Sequence, residues 1–248
     1  MVRSLLATVA LLVASLGTRT ATADEIRVAV ATNFSETMAA LVERFEQDSE
    51  HTVLVSAGST GNLYAQIRNG APFEVFFSAD AERPMLLEKQ GVALEGSRFL
   101  YAVGRLVLWS PRPGLVDADG RVLESGTFKF LAIANPELAP YGAAAREVLM
   151  ARNLWSALEG RLVQGQDIGQ AYSFVHTGNA ELGFVAYSQL KQPGSEIAGS
   201  YWLVPESLHR PIAQEAVLVR DVPAARAFVE FVKSAPAREI IRRYGYGP

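Results

Sequence analysis

Val53-Leu-Val-Ser-Ala-Gly-Ser-Thr-Gly-Asn62 is the stretch on which the fold turns. Its first half is a short apolar run rich in β-branched residues, the mark of a buried strand. Gly58-Ser-Thr-Gly61 interrupts that run, and residues 62–69 then suit a helix that stops at Gly70. A strand that passes through glycine and hydroxyl residues directly into a helix is half of a β–α unit. The turn is not a phosphate loop, because the lysine of G-x-x-x-x-G-K-[ST] is missing, and it is not the dinucleotide G-x-G-x-x-G.

The same grammar extends both ways. Upstream, residues 26–31 read as a strand and 35–48 as a helix with Met38, Leu41, Val42 and Phe45 at helical spacing. Downstream come strand 75–78, helix 82–90 ended by Gly91, strands 105–109 and 130–134, and helices 143–152 and 169–176. Strands 183–187, 202–205 and 213–219 follow, with helices 224–233 and 237–244 at the end. Residues 111–126 are polar and turn-rich and read as a surface loop. Strands alternating with helices imply an α/β fold with mostly parallel sheets. Periodicity leaves open whether there is one sheet or two.

Four strand-to-helix junctions share one chemistry: Ala31-Thr-Asn-Phe-Ser35, Ser56-Ala-Gly-Ser-Thr-Gly-Asn62, Asn135-Pro-Glu-Leu-Ala-Pro-Tyr-Gly142 and Gly165-Gln-Asp-Ile-Gly169. A helix start carries unpaired N–H groups and a partial positive charge, so it holds an anion without lysine or arginine. Glycine lets backbone approach a ligand closely, and hydroxyls add donors. In open α/β sheets ligands sit beyond the carboxyl ends of the strands, where these junctions fall. Each junction alone is explained by ordinary N-capping, with Thr32 or Asn33, Ser59 and Asp167 as the caps. The functional reading rests on their joint appearance.

Composition narrows the partners. The chain has 248 residues, 23 basic and 26 acidic, and no cysteine. Arg3, an apolar stretch over residues 5–16 and the A-x-A site Ala21-Thr-Ala23 read as a secretory signal over residues 1–23, cleaved after Ala23. Its removal takes away Arg3 and Arg19 but no acid, so the mature chain is more acidic still. An acidic chain without a basic stripe excludes nucleic acid as the partner. The lack of cysteine excludes thiolate metal sites, a thiol nucleophile and a lipid anchor, and nothing after the signal is apolar enough for membrane insertion. His51, His176 and His209 stand in no catalytic motif, and Asp80 and Asp167 sit where helix caps belong. No catalytic residue can be named, and no enzyme activity is expected.

With these motifs in view, the chain resembles the periplasmic molybdate-binding proteins of the type II solute-receptor fold. The resemblance covers essentially all of the mature chain. It is carried by Val28-Ala-Val-Ala-Thr-Asn33, Gly58-Ser-Thr-Gly61, Gly70-Ala-Pro-Phe-Glu-Val-Phe-Phe-Ser-Ala-Asp80, Asn135-Pro-Glu137 with Pro140-Tyr-Gly142, Gly183-Phe-Val-Ala-Tyr187 and Arg243-Tyr-Gly-Tyr246. It implies two Rossmann-like α/β lobes joined by a two-stranded hinge, with residues 24–104 and 206–248 in lobe I and 105–205 in lobe II. It also implies a monomer in the periplasm that binds molybdate or tungstate and hands it to the membrane permease of an ABC importer. No cofactor is implied, and the metal arrives as an oxyanion, with no direct side-chain coordination.

Carried over by position, Thr32 and Asn33 match the first contact region and Ser59 and Thr60 the serine-bearing turn. Tyr141 and Ile168 match backbone N–H donors of the second lobe. One departure stands out. Some members carry a ligating tyrosine where this chain has Ala186; Tyr187 is one residue later, and a one-residue offset in a strand faces the other way. Tyr141 is the expected source of a phenolic hydroxyl instead. Asp167 is expected to cap its helix and face away from the ion. The rival reading is a receptor of the same fold for sulfate, chromate, phosphate or an organic acid. A carboxylate ligand calls for an arginine, and Arg68 and Arg105 lie outside the four junctions.

Overall fold

The computed structural model describes residues 24–247; the expected signal segment, 1–23, lies outside them. The chain runs β1 (Glu25–Ala31), α1 (Ser35–Gln47), β2 (Thr52–Gly58), α2 (Thr60–Arg68), β3 (Val75–Phe77), α3 (Glu82–Lys89) and β4 (Phe99–Gly104). It then crosses to a second body through β5 (Leu106–Ser110), α4 (Val122–Ser125), β6 (Leu131–Ala134), α5 (Pro140–Ala151), α6 (Trp155–Leu158), β7 (Leu162–Gly165), α7 (Ile168–His176), β8 (Leu182–Ala186), α8 (Tyr187–Leu190) and β9 (Ser200–Leu203). It returns with β10 (Ile212–Leu218), α9 (Pro223–Lys233) and α10 (Ala235–Arg243).

Two five-stranded sheets result, ordered β2-β1-β3-β10-β4 and β7-β6-β8-β5-β9. In each, the strand at the second position pairs in parallel with both of its neighbours, and the fourth strand is antiparallel. These are the two lobes. The chain passes between them twice: once almost without a break from Gly104 to Leu106, and once over residues 204–211.

Inner strands are buried on both faces, which is why they read as continuous apolar runs. In lobe I, Ile26, Val28 and Val30 pack under α1, α9 and α10, while the alternate Ala29 faces α2 and α3. In lobe II, Leu106 and Leu108 face α5, and Val107 and Trp109 face the opposite layer. Parallel pairing of β1 with β2 and of β6 with β7 puts their carboxyl ends on one side of each sheet, and the residues that follow them line the gap between the lobes.

The structure departs from the sequence reading at four places. Residues 99–104 form β4, an edge strand that its polar approach conceals in the sequence. Residues 162–165 form β7, which brings Gly165 and Asp167 to the gap. The stretch 111–126 is not simply a surface loop: Val116, Val122 and Leu123 are buried in the lobe II core. Tyr187 does not end a strand; it begins the short helix α8.

Candidate functional site between the lobes

All four junctions meet. Thr32 and Asn33, Ser59 and Thr60, Tyr141, and Ile168 line one small void, together with Ala31, Ala79 and Asp167. Every residue expected at the site is therefore in its wall. The void is nearly closed, about 10 Å³, far below the roughly 300–1,000 Å³ of a drug-sized ligand's pocket, so it leaves no room for a large ligand. Among the described residues no lysine or arginine lines it, and Asp167 is the only charged residue that does.

Lobe I builds its half from hydroxyls. β1 leaves Ala31 in extended conformation, and Thr32–Phe34 makes one 3-10 turn before α1 with no side-chain cap. Neither Thr32 nor Asn33 caps α1, contrary to the capping alternative. Thr32 Oγ1 donates to Asp167 Oδ1 across the gap at 3.2 Å and accepts from Gly169 N at 3.3 Å. The Asn33 side chain turns inward and donates to Gln214 Oε1 at 2.6 Å. Ser59 is the N-cap of α2, accepting from Asn62 N at 3.3 Å. Thr60 Oγ1 accepts from the buried Ala79 N at 3.1 Å. Both hydroxyls keep a proton to donate.

Lobe II builds its half from backbone. Ala139, in extended conformation, precedes Pro140 at the first position of α5, where the missing N–H costs nothing. Tyr141 follows, placing its N–H among the free donors of a helix start. Gly142 permits this approach: a Cβ there would stand 2.3 Å from Ala134 O. Tyr141 is buried, and its hydroxyl has no hydrogen-bond partner among the described residues. Burial, reinforced by the neighbouring Tyr246, pushes that hydroxyl well above its usual pKa, so it stays a proton donor. At the fourth junction Asp167 caps α7 by accepting from Gln170 N at 3.0 Å, and Ile168 opens the helix. Asp167 does not face away as expected. The same Oδ1 that caps α7 accepts from Thr32, because the lobes stand close enough for one oxygen to serve both.

The halves touch elsewhere too. Gly61 N donates to Leu138 O at 2.9 Å, and a Cβ on Gly61 would lie 3.1 Å from Leu138 Cα. Arg83 donates to Glu137 O at 3.0 Å. Tyr187 takes no part in the void; its ring lies 4.9 Å from the Arg105 guanidinium carbon. A wider cleft of about 390 Å³ borders the site, lined by Arg83, Arg146 and Arg210 among others. Each of these is paired with an acid, respectively Asp80, Glu137 and Glu147. Arg68 stacks on Tyr64. Among the described residues, then, the arginines of this cleft are all paired, and Arg105, at the crossing between the lobes, lies over the Tyr187 ring outside the void.

Sequence reasoning missed the residues that hold the junctions. Gln189 donates to Ile168 O at 3.1 Å and accepts from Ala186 N at 2.9 Å. Ser188 donates to Asn33 O at 2.9 Å, and Gln214 accepts from Asn33. Ser188 and Gln189 sit together in a short polar stretch and Gln214 stands beside Glu215, signals too common to point to a site.

Known proteins resemble the chain along most of its length. Residues 26–247 match the family described as bacterial extracellular solute-binding protein. The molybdate-binding protein ModA of Azotobacter vinelandii is 53% identical over 230 residues, 92% of this chain and 91% of that protein. ModA of Rhodobacter capsulatus is 49% identical over 91% of this chain and 89% of that one. Among solved structures, the Azotobacter vinelandii periplasmic molybdate-binding protein superposes with a TM-score of 0.87 at 44% identity, covering 90% of this chain and 99% of that one.

Proposed function

The chain belongs to the bacterial extracellular solute-binding proteins, and from that premise we propose that it binds molybdate or tungstate in the void between its lobes and delivers the ion to the permease of an ABC importer. One observation carries the reading. Four helix starts, two from each lobe, converge on one small void whose wall, among the described residues, bears no cation.

Such a site exchanges water around a dianion for fixed dipoles. The hydroxyls of Thr32 and Ser59 and the N–H groups at the starts of α5 and α7 are the donors, with Asn33, Thr60, Tyr141 and Ile168 completing the wall. Tyr141 contributes its backbone N–H to this set; its buried hydroxyl lies against Gly104 at the crossing between the lobes. Thr32 now donates to Asp167, and an ion takes that carboxylate's place as acceptor.

Neither lobe alone surrounds the ion, so the ion stabilises the closed arrangement by the difference in its affinity for the closed and open forms. The lack of cationic ligands favours release when a permease parts the lobes. Size selects against sulfate, whose oxygens lie closer to the centre than those of molybdate. A carboxylate on the wall disfavours any further negative charge.

The reading includes a monomer, working in the periplasm after cleavage behind Ala23, with no cofactor and no chemical step. Among the described residues no helix is long and apolar enough to cross a membrane. Calorimetric titration of the ligand-stripped protein tests the function. Submicromolar binding of molybdate and tungstate, with sulfate and phosphate far weaker, is the expected outcome. Tight binding of sulfate or phosphate alone overturns it.

A further inference from the structure

Beyond the wall of the void lies a second polar assembly, centred on Tyr246. After α10 the chain turns back at Gly245, whose φ of +86° suits glycine, and Gly247 pairs antiparallel with Val103 on the edge strand β4. Gly245 passes close over lobe II: a Cβ there would stand 2.6 Å from Tyr187 Cδ1. Between these two glycines, Tyr246 drops inward and is 5% exposed. Its ring meets Phe34 edge-on at 5.2 Å. Its hydroxyl donates to Asn33 O at 2.7 Å and accepts from Asn33 Nδ2 at 3.1 Å.

Asn33 is therefore held at both its carbonyl and its amide. The carbonyl also accepts from Ser188 Oγ, on α8 of the other lobe, at 2.9 Å. One backbone oxygen in the first ion-site turn thus receives a donor from the C-terminal strap and a donor from the opposite lobe. A trans peptide points its C=O and N–H in opposite directions. Anchoring the Asn33 carbonyl on the core side fixes the Phe34 N–H the other way, and with it the set of the turn Thr32–Phe34. That turn has no side-chain cap of its own, whereas Ser59 and Asp167 cap theirs. Burial keeps the Tyr246 hydroxyl protonated far above neutral pH, so it remains a donor.

We propose that Tyr246 is a positioning residue that sets the first junction for the ion and, through the carbonyl it shares with Ser188, couples that setting to closure of the lobes. The proposal rests on the reading of the void as an oxyanion site. It adds a role for the strap, which touches no part of the void's wall.

Tyr246→Phe keeps the ring against Phe34 and removes only the hydroxyl; Ser188→Ala removes the donor from the other lobe. Both are compared with the unaltered protein in three ways: molybdate affinity by calorimetry, the ligand-free melting temperature, and amide hydrogen exchange without ligand. Tyr246→Phe loses both hydrogen bonds to Asn33 and should weaken molybdate binding about tenfold, as much as one hydrogen bond at the upper end of its net worth. Ser188→Ala should weaken it about threefold by the same reasoning. Without ligand, exchange at residues 32–36 should rise in Tyr246→Phe while exchange at 59–62 stays unchanged.

Affinity within twofold of the unaltered protein, with residues 32–36 exchanging as before, overturns the proposal even if the melting temperature falls. Should Tyr246→Phe fail to fold, Ser188→Ala decides: unchanged affinity overturns the coupling. Failure of the unaltered protein to bind molybdate instead sinks the functional reading, and the exchange comparison still decides this one.

Discussion

The two lobes share a strand order and face the same void, yet they furnish it differently. Lobe I offers hydroxyls from Thr32, Ser59 and Thr60, each already engaged in a hydrogen bond of its own. Lobe II offers backbone at Tyr141 and Ile168, with proline and glycine around the first and a capping carboxylate before the second. On the proposed reading of the void, the difference teaches that an ion cage need not be built from spare groups. In lobe I the donors double as caps and anchors, so stability and affinity are entangled there. In lobe II the donors are main-chain N–H groups, and substitutions spoil them chiefly by shifting the backbone.

The contrast can be broken most forcefully at Gly142. Gly142→Ala places a Cβ 2.3 Å from Ala134 O, so the start of α5 has to move. The expected cost is about 1–3 kcal/mol of stability, as for overpacking, together with loss of molybdate binding. Denaturant unfolding and calorimetry read the two together; an unchanged midpoint would show that backbone geometry here is softer than described.

Thr60→Ala is next in size. It strands the buried Ala79 N–H, at about 1–3 kcal/mol, and should lower the melting temperature with and without ligand, while Thr60→Ser restores it. A mutant that melts normally would free Thr60 of its anchoring role. Ser59→Gly separates the entangled functions, because glycine keeps most of an N-cap's benefit but has no hydroxyl. Its ligand-free stability should fall by only a few tenths of a kcal/mol, and its affinity by about tenfold. The reverse pattern would make Ser59 a cap alone.

The smallest effect is expected at Asp167→Asn. Asparagine caps as well as aspartate, so α7 survives while the one charge on the wall disappears. Dianion binding should tighten by about threefold at low salt and by less as salt rises, since the site is partly open to solvent. Weaker binding would mean the carboxylate's hold on Thr32 matters more than its repulsion.

Much of this candidate site is legible in the sequence. The four junctions announce themselves through glycine, hydroxyl and amide residues at the ends of apolar runs, and Thr32, Asn33, Ser59, Thr60, Tyr141 and Ile168 do share one wall. Local grammar suffices for that, because a strand's carboxyl end and a helix's start are adjacent in the chain. What local grammar omits is who faces whom. Asp167 reads as a cap that turns away, yet Thr32 reaches it from 135 residues earlier. The choice between one sheet and two depends on the crossing at Gly104 and Leu106, which reads simply as more apolar chain. Tyr246 is visible only as part of a closing motif, since its partner Asn33 lies 213 residues away.

The central claim is that peptide amides and hydroxyls from both lobes, with no cation among them, hold the ion. Anomalous diffraction at the molybdenum edge, from crystals grown with molybdate, tests it most directly. The claim predicts one peak inside the void walled by Thr32, Ser59, Tyr141 and Ile168, with the oxygens accepting from both lobes. A peak in the neighbouring cleft beside Arg83, Arg146 and Arg210, or oxygens held by guanidinium groups, would contradict it.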